Sequence, residues 1–153
     1  MLTTKERSKI GKKSKQQGNR FELKVRKDLE EKGWIVAKWT NNIEFMCTHK
    51  EHCCARLVKV KNKFRGMGIP MMLGAGFPDF IAFKLIIRGE STRIGFDIVG
   101  ENLYEVIGVE SKMKGYLDKQ EKEKIEWLRS NNIFSKVIIA SKDKNKRGGI
   151  IYT

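Results

Sequence analysis

Three residues in one short stretch could do chemistry together. Val106 to Lys114 reads Val-Ile-Gly-Val-Glu-Ser-Lys-Met-Lys, an apolar run ending in Glu110-Ser111-Lys112. β-branched residues bounded by Gly and charge predict a buried strand. Side chains alternate along a strand, so Glu110 and Lys112 share a face, roughly 6.6 Å apart. A buried carboxylate and ammonium are costly unless paired. A divalent metal and a phosphate would use both. Upstream, Gly76-Phe77-Pro78-Asp79 leads into a second apolar strand, 80–87. An acid entering one strand can meet Glu-x-Lys leaving its neighbour. Asp97 is a rival second acid, nearer Glu110 in sequence; Asp79 is preferred because it follows a Gly-Pro loop and begins the better strand.

The elements that must position these residues follow in order. Residues 1–18 carry Lys5, Arg7, Lys9, Lys12, Lys13 and Lys15 against Glu6, with no apolar period. They predict a flexible basic arm. A single domain is expected over 19–153. Its first helix is expected over 19–32, with Asn19 as N-cap, Glu22 at N3 and a stripe of Phe21, Val25 and Leu29. Gly33 stops it. Glu22 lies beside the stripe and could reach a site on the sheet; on spacing alone, completing the cap is the favoured role. A strand is predicted over 34–39 and a short one over 57–60.

Residues 40–76 carry little pattern. Cys47, His49, His52, Cys53 and Cys54 could bind a structural Zn2+. No Cys-x-x-Cys pair is present, which places zinc below an ordinary loop with reduced thiols. Gly66, Gly68, Gly74 and Gly76 lack the order of a nucleotide-phosphate loop. They predict a close backbone approach just before Asp79. Beyond strand 80–87, a turn over 88–91 and a strand over 93–99 form a hairpin, and Gly115 breaks the central strand. A helix over 117–131, with Leu117, Ile125 and Leu128 buried, places Gln120 inward, where it needs a polar partner; a half-exposed place at the rim fits the spacing equally well. Strands over 134–140 and 150–152 close the chain. The order indicates an α/β fold with a mixed sheet and helices packed against it.

The chain has 153 residues and 40% hydrophobic content, enough for one core. No apolar run approaches the roughly 18 residues of a membrane span and no signal peptide is visible, so an intracellular, cytoplasmic protein is expected. The formal net charge of +14 points to a polyanionic partner, nucleic acid ahead of a membrane surface.

A helix with Glu, Pro-Asp entering a strand, Glu-x-Lys closing one and a helix with Gln together resemble the PD-(D/E)xK nuclease superfamily. Within it, archaeal Holliday-junction resolvases and VRR-NUC-type nucleases are the nearest likeness. The resemblance spans roughly 18–140 apart from 40–72. It runs through Gly18-Asn19-Arg20-Phe21-Glu22, Gly76-Phe77-Pro78-Asp79, Val109-Glu110-Ser111-Lys112 and Gln120. The longer spacing from Glu22 to Asp79 makes 40–72 an insertion. The resemblance implies a restriction-endonuclease-like core and a metal-dependent endonuclease for DNA, branched DNA included, in recombination or repair. It implies Mg2+ or Mn2+ on Asp79, Glu110 and the Ser111 carbonyl, joined by Glu22 directly or through water. Lys112 would orient or deprotonate the attacking water or neutralise charge. A nuclease for simple duplex or single strands, and a non-catalytic basic nucleic-acid-binding module on the same fold, stay open, as does a homodimer.

Overall fold

The structure is a computed structural model that describes residues 3–46, 55–60, 64–65, 69–70, 76–87, 92–94, 97–99 and 102–153. The chain opens with helix α1 (Thr4–Glu31). Thr3 caps it. The Thr3 side chain accepts from the Glu6 N–H at 3.3 Å, and the Glu6 carboxylate accepts from the Thr3 N–H at 2.7 Å. This capping box lies far ahead of the one expected at Asn19, and Glu22 is a mid-helix residue. Residues 4–18, expected as part of a flexible arm, are turns of the same helix, exposed as far as residue 17. The missing apolar period meant missing packing partners, not a missing helix. Lys, Arg and Gln are adequate helix formers, and no Pro interrupts them.

Phe21, Val25 and Leu29 recur every fourth residue and are the buried stripe of α1. Short strands follow: β1 (Ile35–Lys38), β2 (Asn41–Phe45), β3 (Ala55–Lys59), β4 (Phe64–Arg65) and β5 (Ile69–Pro70). Next come β6 (Phe80–Ile87), β7 (Thr92–Ile94), β8 (Asp97–Val99) and β9 (Leu103–Ser111). Helix α2 (Lys119–Ser130), β10 (Lys136–Lys142) and β11 (Ile150–Tyr152) complete the fold. Five strands make one mixed sheet in the order β1-β6-β9-β10-β11. Only β9 and β10 are parallel within it, joined through α2.

Alternation along the strands separates two cores. Phe80, Ala82, Ile107 and Val109 pack with the α1 stripe, whereas Ile81 and Val106 pack with Leu128 of α2, Phe134 and Ile43 of β2. Helix α1 therefore covers one face, and α2 with the β2–β3 ribbon covers the other. The expected single strand over 93–99 is instead two short strands, β7 and β8, paired with each other outside the main sheet. β6 pairs directly with β9. Strand β9 also ends at Ser111, earlier than the apolar run suggested, so Lys112 to Gly115 form a turn. No helix among the described residues is long and apolar enough to cross a membrane.

The approach to Asp79 is tightly laced. Phe77 N–H donates to the Asn41 carbonyl at 2.9 Å, and Trp39 N–H donates to the Asp79 carbonyl at 3.1 Å. The Phe77–Pro78 peptide is cis. At Gly76 a Cβ would stand 2.4 Å from the Trp39 carbonyl oxygen and 2.6 Å from that of Asn41. This is the close backbone approach that the glycines predicted. Both obstacles are backbone and cannot swing aside. Gly76→Ala should therefore cost about 1–3 kcal/mol, the usual range for overpacking. Urea denaturation at fixed pH reads this directly, and wild-type stability would show that the loop gives way freely.

Candidate active site

The antiparallel pairing of β6 and β9 decides which residues meet. Phe80 stands opposite Val109, so Asp79 and Glu110 come next to each other where β6 starts and β9 ends. They clasp each other through the backbone. The Asp79 carboxylate accepts from the Ser111 N–H at 2.9 Å, and the Glu110 carboxylate accepts from the Asp79 N–H at 3.2 Å. Their exposures are 7% and 5%, the two buried charged residues among those described.

Burial sets their protonation. Withdrawal from water pushes the Glu110 carboxyl up to about 8, and the nearby Asp79 carboxylate adds to the rise while Lys112 opposes it. Asp79 is also raised, by burial first; the Ser111 N–H works against this and the Glu22 charge with it. Two buried acids with weakened hold on negative charge are a poor choice for stability alone. They suit a site that receives a cation.

Two lysines answer the acids. Lys112 Nζ lies 3.2 Å from Glu110 and bonds Glu121 at the start of α2. Burial tends to lower its pKa, but the two carboxylates outweigh that and raise it. Lys112 therefore keeps its proton in the free protein. Lys38, on β1, lies 2.8 Å from Glu22 and 3.8 Å from Asp79. Its ammonium also sits 4.8 Å above the centre of the Phe80 ring. Glu22 is thus brought to the site by α1, two faces of the sheet meeting at the strand ends.

Glu22, Asp79, Glu110, Lys112 and Glu121 line an open cavity of about 350 Å³, which also takes in Asn42, Ser111, Gln120 and Lys124. The six residues that the motifs offer for catalysis or metal binding all line it: Glu22, Asp79, Glu110, Ser111, Lys112 and Gln120. Of the two places the spacing left open to Gln120, inward or at the rim, the structure takes the second. Gln120 is exposed at the rim, because α2 begins only at Lys119 and its buried residue, Leu128, comes two turns later. The rival acid Asp97 begins β8 in the separate ribbon. The Cys47, His49, His52, Cys53 and Cys54 group lies outside the described residues, as do most of the glycines before Gly76.

Sequence reasoning missed Lys38, Glu121, Asn42 and Lys124. Lys38 has no local signal; its place follows from β1 pairing with β6, where it stands opposite Phe80. Glu121 carried a signal: Asp118 and Glu121 form the capping box of α2, a spacing readable in the sequence.

Among the described residues, no three Asp, Glu, His or Cys side chains converge as a ready cage for a metal ion. The donor set fits a different kind of site. Mg2+ commonly takes one or two carboxylates and fills its other positions with water and substrate phosphate oxygens. Asp79 and Glu110 could supply such a pair, and Glu22 is ion-paired with Lys38. Comparisons with protein-family models, with characterised proteins and with solved structures gave no significant match to this chain.

Proposed function

We propose that this protein is a metal-dependent endonuclease that hydrolyses DNA phosphodiester bonds, built on a restriction-endonuclease-like core. The observation that carries this reading is the buried Asp79–Glu110 clasp with Lys112 beside it, on a chain of net charge +14. The order of the motifs along the chain, resembling PD-(D/E)xK nucleases, supports it. A bound Mg2+ or Mn2+ would supply charge at the scissile phosphate and a water of lowered pKa. Asp79 and Glu110 would hold that ion with their carboxylates, giving up the proton that burial favours. Lys112, protonated, would orient the attacking water or neutralise the phosphate's developing charge. Gln120 and Lys124 at the rim would position the strand. Incubation with labelled four-way junction, flap, duplex and single-stranded DNA, in Mg2+, Mn2+ or EDTA, tests the reading. Cleavage of at least one substrate in metal alone is expected; intact substrates throughout would leave a binding module.

The first turns of α1 support the polyanionic partner. Lys5, Lys9 and Lys12 recur at i, i+4 and i+7, so they share one exposed face of the helix. Replacing these three by Gln keeps the helix and removes three charges. DNA binding should weaken, and its log–log salt slope should fall by up to about 2.7, since each phosphate contact contributes about 0.9. Filter binding or anisotropy over a salt series measures this. An unchanged slope would take α1 out of the interface.

A further inference from the structure

The turn after Lys112 opens a second cavity. Gly115, at φ +74, donates its N–H to the Lys112 carbonyl at 2.8 Å, and Lys142 N–H donates to the Met113 carbonyl at 3.3 Å. The turn carries Tyr116 clear of the sheet. Its exposure of 75% is the highest of any large apolar or aromatic residue among those described, and no other described ring stacks on it. Beside it lies a cavity of about 730 Å³ with Met113 and Ile151 in its wall and Lys114, Lys142 and Lys144 around it. Asp143 is in the same wall, but its carboxylate turns to its own loop and accepts from the Asn145 N–H at 2.7 Å. Three lysines against this one carboxylate leave the balance of side-chain charge there positive.

The two cavities are consecutive along the chain: Lys112 lines the first, and Met113 and Lys114 line the second. Strands β9 and β10 are parallel with Ser111 beside Ala140, and Lys112 N–H donates to the Ala140 carbonyl at 2.9 Å. A strand crossing Glu110 and Lys112 would reach Tyr116 by following the turn over 112–115. An exposed aromatic ring among lysines matches a nucleotide: a flat base for the ring, a phosphate for the ammonium groups. In a continuous duplex both faces of each base are covered by its neighbours. Only an unpaired base has a face to give.

We propose that this cavity is a subsite for an unpaired nucleotide next to the scissile phosphate, with its base stacked on Tyr116 and its phosphate among Lys114, Lys142 and Lys144. The substrate class follows: DNA with a single-stranded or splayed segment at the cut, such as a flap or a branch, rather than continuous duplex. This rests on the reading of the protein as a DNA nuclease.

Binding in EDTA separates the two. The probes are a labelled oligothymidylate of about 16 nucleotides, the upper site size of a single-strand groove, and a blunt duplex of two annealed strands without a loop. Tyr116→Ala should weaken oligothymidylate binding about 5- to 150-fold, the range for losing one stacked base. Tyr116→Phe keeps the ring and should bind like wild type, and duplex affinity should be the same for all three proteins. The proposal is overturned if wild type ignores oligothymidylate, if Tyr116→Ala binds it normally, if Tyr116→Phe is as weak as Tyr116→Ala, or if the duplex loses equally. This binding needs no metal, so stacking here with substrates left intact in Mg2+ and Mn2+ would defeat the nuclease reading alone, and cleavage in metal without stacking here would defeat the subsite alone.

Discussion

Asp79→Asn and Glu110→Gln should each lower DNA cleavage by about 1,000-fold or more, the equivalent of several kcal/mol of metal-derived charge stabilisation. DNA affinity should hold or rise, because each change deletes a negative charge that faces phosphate. The same variants should behave in the opposite sense in stability. The Glu110 carboxyl is raised from its ordinary 4.5 to about 8 by burial and by Asp79. An acid raised on folding holds its proton more tightly in the native state. The stability this carboxyl contributes to the metal-free protein is then fully present below about pH 4.5 and is lost as pH climbs towards 8, by at most about 1.4 kcal/mol per unit. Glu110→Gln has no proton to lose and should melt with a flatter pH profile and a higher midpoint at pH 8. Thermal melts in EDTA at pH 5 and pH 8 show whether it does. A variant that is dead in cleavage yet firmer at pH 8 marks Glu110 as kept for function; one that is dead because it unfolds would not.

Lys112→Ala should cut the single-turnover cleavage rate by about 100- to 10,000-fold at saturating enzyme, while the Kd for DNA moves little. Lys112 lies between Glu110 and Glu121 and is held protonated by both. Its contribution is a placed positive charge and hydrogen-bond donor rather than a base in the free protein. A charge needed mainly in the transition state appears in the rate and not in the affinity. Lys112→Arg keeps the charge but brings a broader, planar group that cannot fit the same pair of carboxylates, so rescue should be poor. If Lys112→Ala cleaves at the wild-type rate once saturated, Lys112 is only a phosphate anchor.

Much of this site was legible because strands carry local patterns. The apolar run before Glu110 and the Pro-Asp entry to β6 fixed two strands whose ends must be adjacent if they pair. The Phe21, Val25 and Leu29 stripe likewise exposed the buried face of α1. What the sequence hid was set by tertiary contact. Lys38 reaches Glu22 and Asp79 only because β1 pairs with β6. Asn42 reaches the cavity only because the β2–β3 ribbon folds over the α2 face. The start of α1 was misplaced for another reason: helix without packing leaves no hydrophobic period to read, and the Thr3–Glu6 capping box was its only mark. The 93–99 segment misled because pairing partners of short strands depend on turn geometry that residue alternation does not encode.

One measurement bears most directly on the buried pair of acids as a metal-dependent cutting centre. Wild type and Asp79→Asn are compared on a labelled flap substrate under single-turnover conditions, each in Mg2+, in Mn2+ and in EDTA. The account predicts cleavage by wild type in metal alone, none in EDTA, and a loss of about 1,000-fold or more in Asp79→Asn with flap binding intact. Equal cleavage by the two proteins, or cutting by wild type that persists in EDTA, would contradict it.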